Sequence, residues 1–129
     1  MKRGLLILTA VALLALAAPQ VFADYSRSDA VTVMRASRQY MQEISAAIGK
    51  QDFHEAAGLL MELAQGHQSL TQMSPPRGSK AEWDRINSEM VAAAYRAIGA
   101  IGQGDTAKLQ AEMGRISAMN REGHSTFRN

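Results

Sequence analysis

Cysteine is absent from the 129 residues. That absence excludes a disulfide framework, a thiolate metal site and a thiol nucleophile together. Aromatic residues make up only 5% of the chain, against a hydrophobic fraction of 47%. An apolar share drawn from Ala, Leu, Ile and Met, poor in aromatic and β-branched side chains, favours helices over sheets. No Gly-rich phosphate loop and no nucleophile elbow occurs. Glu55, Glu62, Glu82 and Glu89 fall on solvated faces and form no paired catalytic acids. His54 and His67 stand 13 apart with no ligand partner one turn away, which reads as two surface residues and not a zinc site. Nothing in the pattern points to an enzyme.

The one long apolar run is at the start. Lys2 and Arg3 precede Leu5 to Ala18, broken only by Thr9, and Val21-Phe22-Ala23 supplies a small-residue cleavage pattern. This predicts a signal peptide over 1–23, cut before Asp24, since the run is short of the ~20 residues that a spanning helix needs. The expected destination is the periplasm, with no membrane association after cleavage. The remaining domain, 24–129, balances twelve basic against twelve acidic side chains. No basic stripe is left to bind nucleic acid. One domain of this length can build its own core.

Within 24–129 the spacing predicts four helices, near 28–49, 52–72, 79–101 and 105–127, forming an all-α, antiparallel up-down-up-down four-helix bundle. Ser28 is the first N-cap candidate, and Gly49 the first stop. Asp52 and Glu55, then Ser79 and Glu82, match capping boxes; Asp105 opens the last helix. Pro75-Pro76 ends the second helix. The expected inner stripe of the first helix is Val31, Met34, Met41, Ile44 and Ile48, with Arg38 and Ser45 interrupting it. Ile48-Gly49-x-x-Asp52 recurs as Ile101-Gly102-x-x-Asp105 at an offset of 53, marking two tight helix–helix turns.

The fourth helix carries an anomaly. Its stripe runs Leu109, Met113, Ile116, Asn120, Gly123, Phe127, so an amide and a glycine occupy seam positions that ask for bulk. Glycine inside a helix costs roughly 1 kcal/mol relative to alanine. His124 adjoins them. The segment Ile116 to Arg128 resembles the C-terminal helix of the cytochrome c-prime type of four-helix-bundle cytochromes, which carries Cys-x-x-Cys-His near its end. Asn120 and Gly123 stand where the haem-bonding cysteines would be, and His124 where the proximal iron ligand would be. Asp29-Ala30-Val31, the Pro/Gly loop before Trp83 and Gly104-Asp105 agree with the same pattern.

The resemblance implies a haem protein serving electron transfer or gas binding, with a redox partner protein and a homodimer through its first two helices. Without cysteines at 120 and 123 there is no covalent haem c. Any haem would be held non-covalently by His124 as proximal iron ligand, with Met34 or Met41 on the distal side and Arg38 pairing a propionate. The simple alignment puts Arg38 itself at the family's distal position. The alternative is a haem-free binding or sensing bundle derived from that family.

Overall fold

The computed structural model describes residues 26–128; the targeting segment expected over 1–23 lies outside them. The described residues form four helices and no strand: α1 (Arg27–Gly49), α2 (Phe53–Leu70), α3 (Lys80–Gln103) and α4 (Thr106–Phe127). The architecture is all-helical and consistent with a four-helix bundle.

Local chemistry sets the helix ends. Asp52, Ser79 and Asp105 each accept a hydrogen bond from the backbone N–H three residues on, satisfying a donor that has no partner inside the helix. The first cap is Ser26 and not Ser28: the Ser26 hydroxyl accepts from the Asp29 N–H at 3.3 Å. Ser28 is itself helical, and its carbonyl accepts from the Thr32 hydroxyl. The physical reason is spacing, because Asp29 lies three residues after Ser26 and so adds its charge to the first turn.

The sequence echo proves to be a repeated turn. The Gln51 and Gly104 N–H groups reach the carbonyls of Ile48 and Ile101 at 3.0 and 3.1 Å, and those of Asp52 and Asp105 reach Ala47 and Ala100, both at 2.9 Å. This is one Schellman closure used twice, and in each copy the second residue of the closure caps the next helix. The residue that must turn left-handed is Gly104 (φ 67°) in one copy and Gln51 (φ 60°) in the other. Gly49 stays helical, so the first helix is stopped by Gln51's conformation. A side chain in that region costs roughly 1–2 kcal/mol. Gln51→Gly is therefore expected to raise stability by about 1 kcal/mol in urea unfolding, less the entropy glycine adds to the unfolded chain.

α1 packs on α2, α2 on α3 and α3 on α4. No Cα of α1 comes within 8 Å of a Cα of α4, and the same holds for α2 and α4. The core is drawn from Ile44, Leu60, Leu63, Leu70, Trp83, Met90, Leu109 and Ile116, with Ala93, Ala94, Ala97 and Ala100 letting neighbouring backbones approach α3 closely. The inner stripe of α1 is Ala30, Ser37, Ile44 and Ala47; Val31 is 39% exposed, and Met34, Met41 and Ile48 pack at its edges. The expected stripe was rotated because a size-based reading passes over small residues, whereas close packing on α2 selects them.

Two of the glutamates expected on solvated faces are paired. Arg96 bonds Glu89 at 2.7 Å and Glu112 at 2.9 Å, Arg115 bonds Glu89 at 3.1 Å, and Arg85 bridges Glu82 and Glu122. Arg85–Glu122, Arg96–Glu112 and Arg115–Glu89 tie α3 to α4, whereas Arg85–Glu82 and Arg96–Glu89 lie within α3; solvent screening keeps the contribution of each small.

Candidate functional site

Residues of all four helices enclose a cavity of about 700 Å³. Its walls come from the first turns of α1 and α3 and the last turns of α2 and α4. Met34, Leu70, Trp83, Ile86, Met90, Met119 and Phe127 give it an apolar lining. That volume lies within the ~300–1,000 Å³ typical of cofactor and small-molecule sites.

Trp83 and Phe127 form the end wall. Their rings meet edge to face, with centroids 5.0 Å apart and planes at 81°. The Trp83 Nε1–H donates to the Leu70 carbonyl at 2.6 Å, joining α3 to the end of α2. The loop between those helices lies over Phe127. A Cβ on Gly78 (φ 79°) would sit 3.1 Å from the Phe127 ring, so glycine is required there for both conformation and space. Arg77 of the same loop donates to the Arg128 carbonyl at 3.2 Å.

His124, Asn120 and Gly123 all line the cavity. His124 is exposed, and its Nδ1 lies 2.7 Å from the Asn120 carbonyl oxygen. A carbonyl only accepts, so Nδ1 carries the proton and the neutral ring keeps its lone pair on Nε2. Histidines that bind metals are held this way, with the other ring nitrogen donating to an oxygen. Gly123 is less open than its sequence position suggests. A Cβ there would lie 3.4 Å from Ile86 Cγ2, an ordinary contact, so part of the expected space is taken by Ile86.

Arg38 and Met34 also line the cavity, whereas Met41 is not among its lining residues and packs on the core. Arg38 is exposed and lines the cavity, which places it at the opening. Arg27 and Arg128 join it there, also exposed and lining the opening. None of the three has a carboxylate partner among the described residues, in contrast to the paired Arg85, Arg96 and Arg115. The mouth is therefore positively charged and the interior apolar. That combination suits a flat, largely apolar ligand carrying carboxylates at one edge.

One part of the site was not foreseen. His67, expected at the surface, is buried and is one of the residues lining the cavity. Its Nε2 lies 2.9 Å from the Ser37 hydroxyl of α1, and its Nδ1 lies 2.9 Å from Asn87 Oδ1 of α3. Asn87 Nδ2 in turn donates to the Trp83 carbonyl at 2.9 Å, which fixes the amide's orientation. Asn87 Oδ1 must then accept, so His67 Nδ1 donates and Nε2 accepts from Ser37. Burial holds the His67 pKa below its ordinary value of 6.5, against the opposing hydrogen bond from Asn87, and the nearby His124 lowers it further. A signal existed in the sequence. His67 continues the series Leu60, Leu63, Ala64, Leu70 at helical steps, so its position, though not its chemistry, belongs to the core face. His54 is exposed, as expected.

No group of three or more His, Cys, Asp or Glu side chains able to hold a bare metal ion occurs among the described residues. No helix among them is long and apolar enough to cross a membrane. The chain matches no family model, no curated protein and no solved structure.

Proposed function

We propose that this chain is a periplasmic four-helix bundle of cytochrome c-prime type that binds haem non-covalently, for electron transfer or small-gas binding. The observation that carries the reading is His124: an imidazole with its Nε2 lone pair free, held through Nδ1, on the wall of a cavity of cofactor size. The residues fit the group. Apolar walls would cover a macrocycle, Met34 is a further ligand in reach of the cavity, and Arg27, Arg38 and Arg128 at the opening would pair its carboxylates.

An up-down-up-down course supports the reading, because connections of three and two residues join α1 to α2 and α3 to α4. It would bring the His124 end of α4 beside the Met34 half of α1. Trp83 and Phe127 exclude water from the end of the cavity, and the Asn120 carbonyl orients the His124 ring. Haem iron bound there would supply one-electron exchange or capture of a small diatomic ligand. Asn120 and Gly123 cannot form thioethers, so acid–ketone extraction is expected to remove all of the haem.

Hemin titration tests the reading directly. The full chain purified after export is expected to give a Soret band that survives desalting, and mass spectrometry an N-terminus at Asp24. His124→Ala is expected to lower hemin affinity by roughly 100-fold, equivalent to about 2.8 kcal/mol. Unchanged affinity and Soret position would remove His124 from the site. A colourless wild-type protein after hemin addition favours the haem-free binding or sensing bundle instead. Asn120→Cys combined with Gly123→Cys, expressed with c-type maturation machinery, is expected to gain covalent haem, since a Cβ at 123 meets Ile86 only at contact distance.

A further inference from the structure

Three buried side chains with nitrogen line the cavity: His67 on α2, and Trp83 and Asn87 on α3. Two of them have nothing left to offer a ligand. His67 Nδ1 donates to Asn87 Oδ1 and its Nε2 accepts from Ser37, both at 2.9 Å. Trp83 gives its single side-chain N–H to the Leu70 carbonyl at 2.6 Å. Asn87 differs, because a side-chain amide carries two N–H donors. One reaches the Trp83 carbonyl at 2.9 Å, one turn back on the same helix. The other meets no acceptor among the described residues, although Asn87 is only 4% exposed. A buried donor left without a partner is destabilising, and such a group calls for an explanation. On the haem reading given above, we infer that the second Asn87 N–H is the hydrogen-bond donor to a small diatomic ligand held at the haem iron.

The geometry of the amide supports this role. His67 Nδ1 donates, so the atom facing it must be Oδ1; the Trp83 carbonyl only accepts, so the atom facing it must be Nδ2. Two fixed contacts on one planar group also fix the direction of the remaining N–H. A donor held this way needs no rearrangement when a ligand arrives. Oδ1 is turned toward α2, which does not pack on α4, whereas the proposed iron ligand His124 stands on α4. Donor and iron ligand therefore reach the cavity from different helices. The surroundings strengthen the contact, since Leu70, Ile86 and Met90 line the same cavity and a hydrogen bond in an apolar setting is stronger than in water. Hydrogen-bond donors in the ligand pocket decide whether a haem captures small ligands or serves electron transfer alone.

The test uses the full chain loaded with hemin, reduced, saturated with carbon monoxide and read by infrared spectroscopy. The wild-type carbonyl stretch is expected to move when water is exchanged for heavy water, because the donor proton exchanges. Asn87→Leu is expected to lose that isotope shift, to raise the stretching frequency, and to release carbon monoxide about threefold faster, the effect of one neutral hydrogen bond. A merely structural role for Asn87 would leave no isotope shift to lose. A wild-type stretch that ignores heavy water overturns the inference, as does an isotope shift that Asn87→Leu retains. A reduced, haem-loaded protein that takes up no carbon monoxide overturns it too, while leaving haem binding for electron transfer intact. Failure of the wild type to retain hemin through desalting overturns the haem reading itself, and the inference with it. Circular dichroism checks the fold of Asn87→Leu. If that variant does not fold, Asn87→Asp replaces it, since an ionised carboxylate keeps an acceptor for His67 and has no N–H; if neither folds, the wild-type response to heavy water decides.

Discussion

Replacing Trp83 with alanine is expected to cost about 3–5 kcal/mol of stability, the range for truncating a large aromatic in a packed core. Three losses combine. The ring is buried at 1% exposure. Its edge-to-face contact with Phe127, at 5.0 Å, disappears, and with it the main cover on the end of α4. The Leu70 carbonyl loses the Nε1–H donor that reaches it at 2.6 Å. Trp83→Phe separates these terms, keeping most of the buried area and the ring contact while losing the hydrogen bond, and is expected to cost only about 1–2 kcal/mol. Urea unfolding followed by circular dichroism measures both. Equal losses in the two variants would mean that the hydrogen bond, and not the packing, dominates.

Removing the buried imidazole is expected to have the next largest effect. His67→Leu leaves Asn87 Oδ1 and the Ser37 hydroxyl without their shared partner, at a cost of about 1–3 kcal/mol near neutral pH. The same variant is expected to flatten the acid limb of the stability curve. The folded pKa of His67 lies below 6.5, so between the two values the unfolded chain binds more protons than the folded one. Stability from this group is full above about pH 6.5 and is lost as pH falls through the folded value, at up to about 1.4 kcal/mol per pH unit. The Glu82 and Glu89 carboxyls act at lower pH. Arg85 holds the first, and Arg96 and Arg115 the second, below the ordinary 4.5, so their smaller, solvent-screened contribution is lost only as pH falls from about 4.5 through those lower values. Unfolding curves at pH 7.5 and 5.5 for wild type and His67→Leu make the comparison. Parallel behaviour of the two proteins would show that another group sets the acid limb.

Helix number, order and approximate ends follow from the sequence, because each is decided by neighbours along the chain. Asp52, Ser79 and Asp105 cap through side chains three residues from their partners. The Gly104 turn interrupts a helix by backbone geometry alone, while α2 ends at Leu70 and Pro75-Pro76 only keeps the following segment from resuming a helix. The Ile-Gly-x-x-Asp echo was legible for the same reason, although its left-handed residue is Gln51 in one copy, which composition does not announce. Met34, Arg38, Asn120, Gly123 and His124 were singled out from stripe positions and motif resemblance, and the fold brings all five to one cavity. Met41, two turns from Met34, does not reach it.

The Ser37–His67–Asn87 cluster was decided by tertiary structure. Its members are separated by 30 and 20 residues and come from three helices. Taken one at a time, each is a polar residue at a position that helical spacing places on the core face, with no partner visible along the chain. Burying such a group costs roughly 2–7 kcal/mol unless a partner meets it. Whether the partner is there depends on the rotation of each helix about its own axis. In α1 the inward face is Ala30, Ser37, Ile44 and Ala47, and not Met34, Met41 and Ile48, which are only partly buried. The cavity has the same origin, since its lining comes from all four helices and so depends on a helix placement that no single helix encodes.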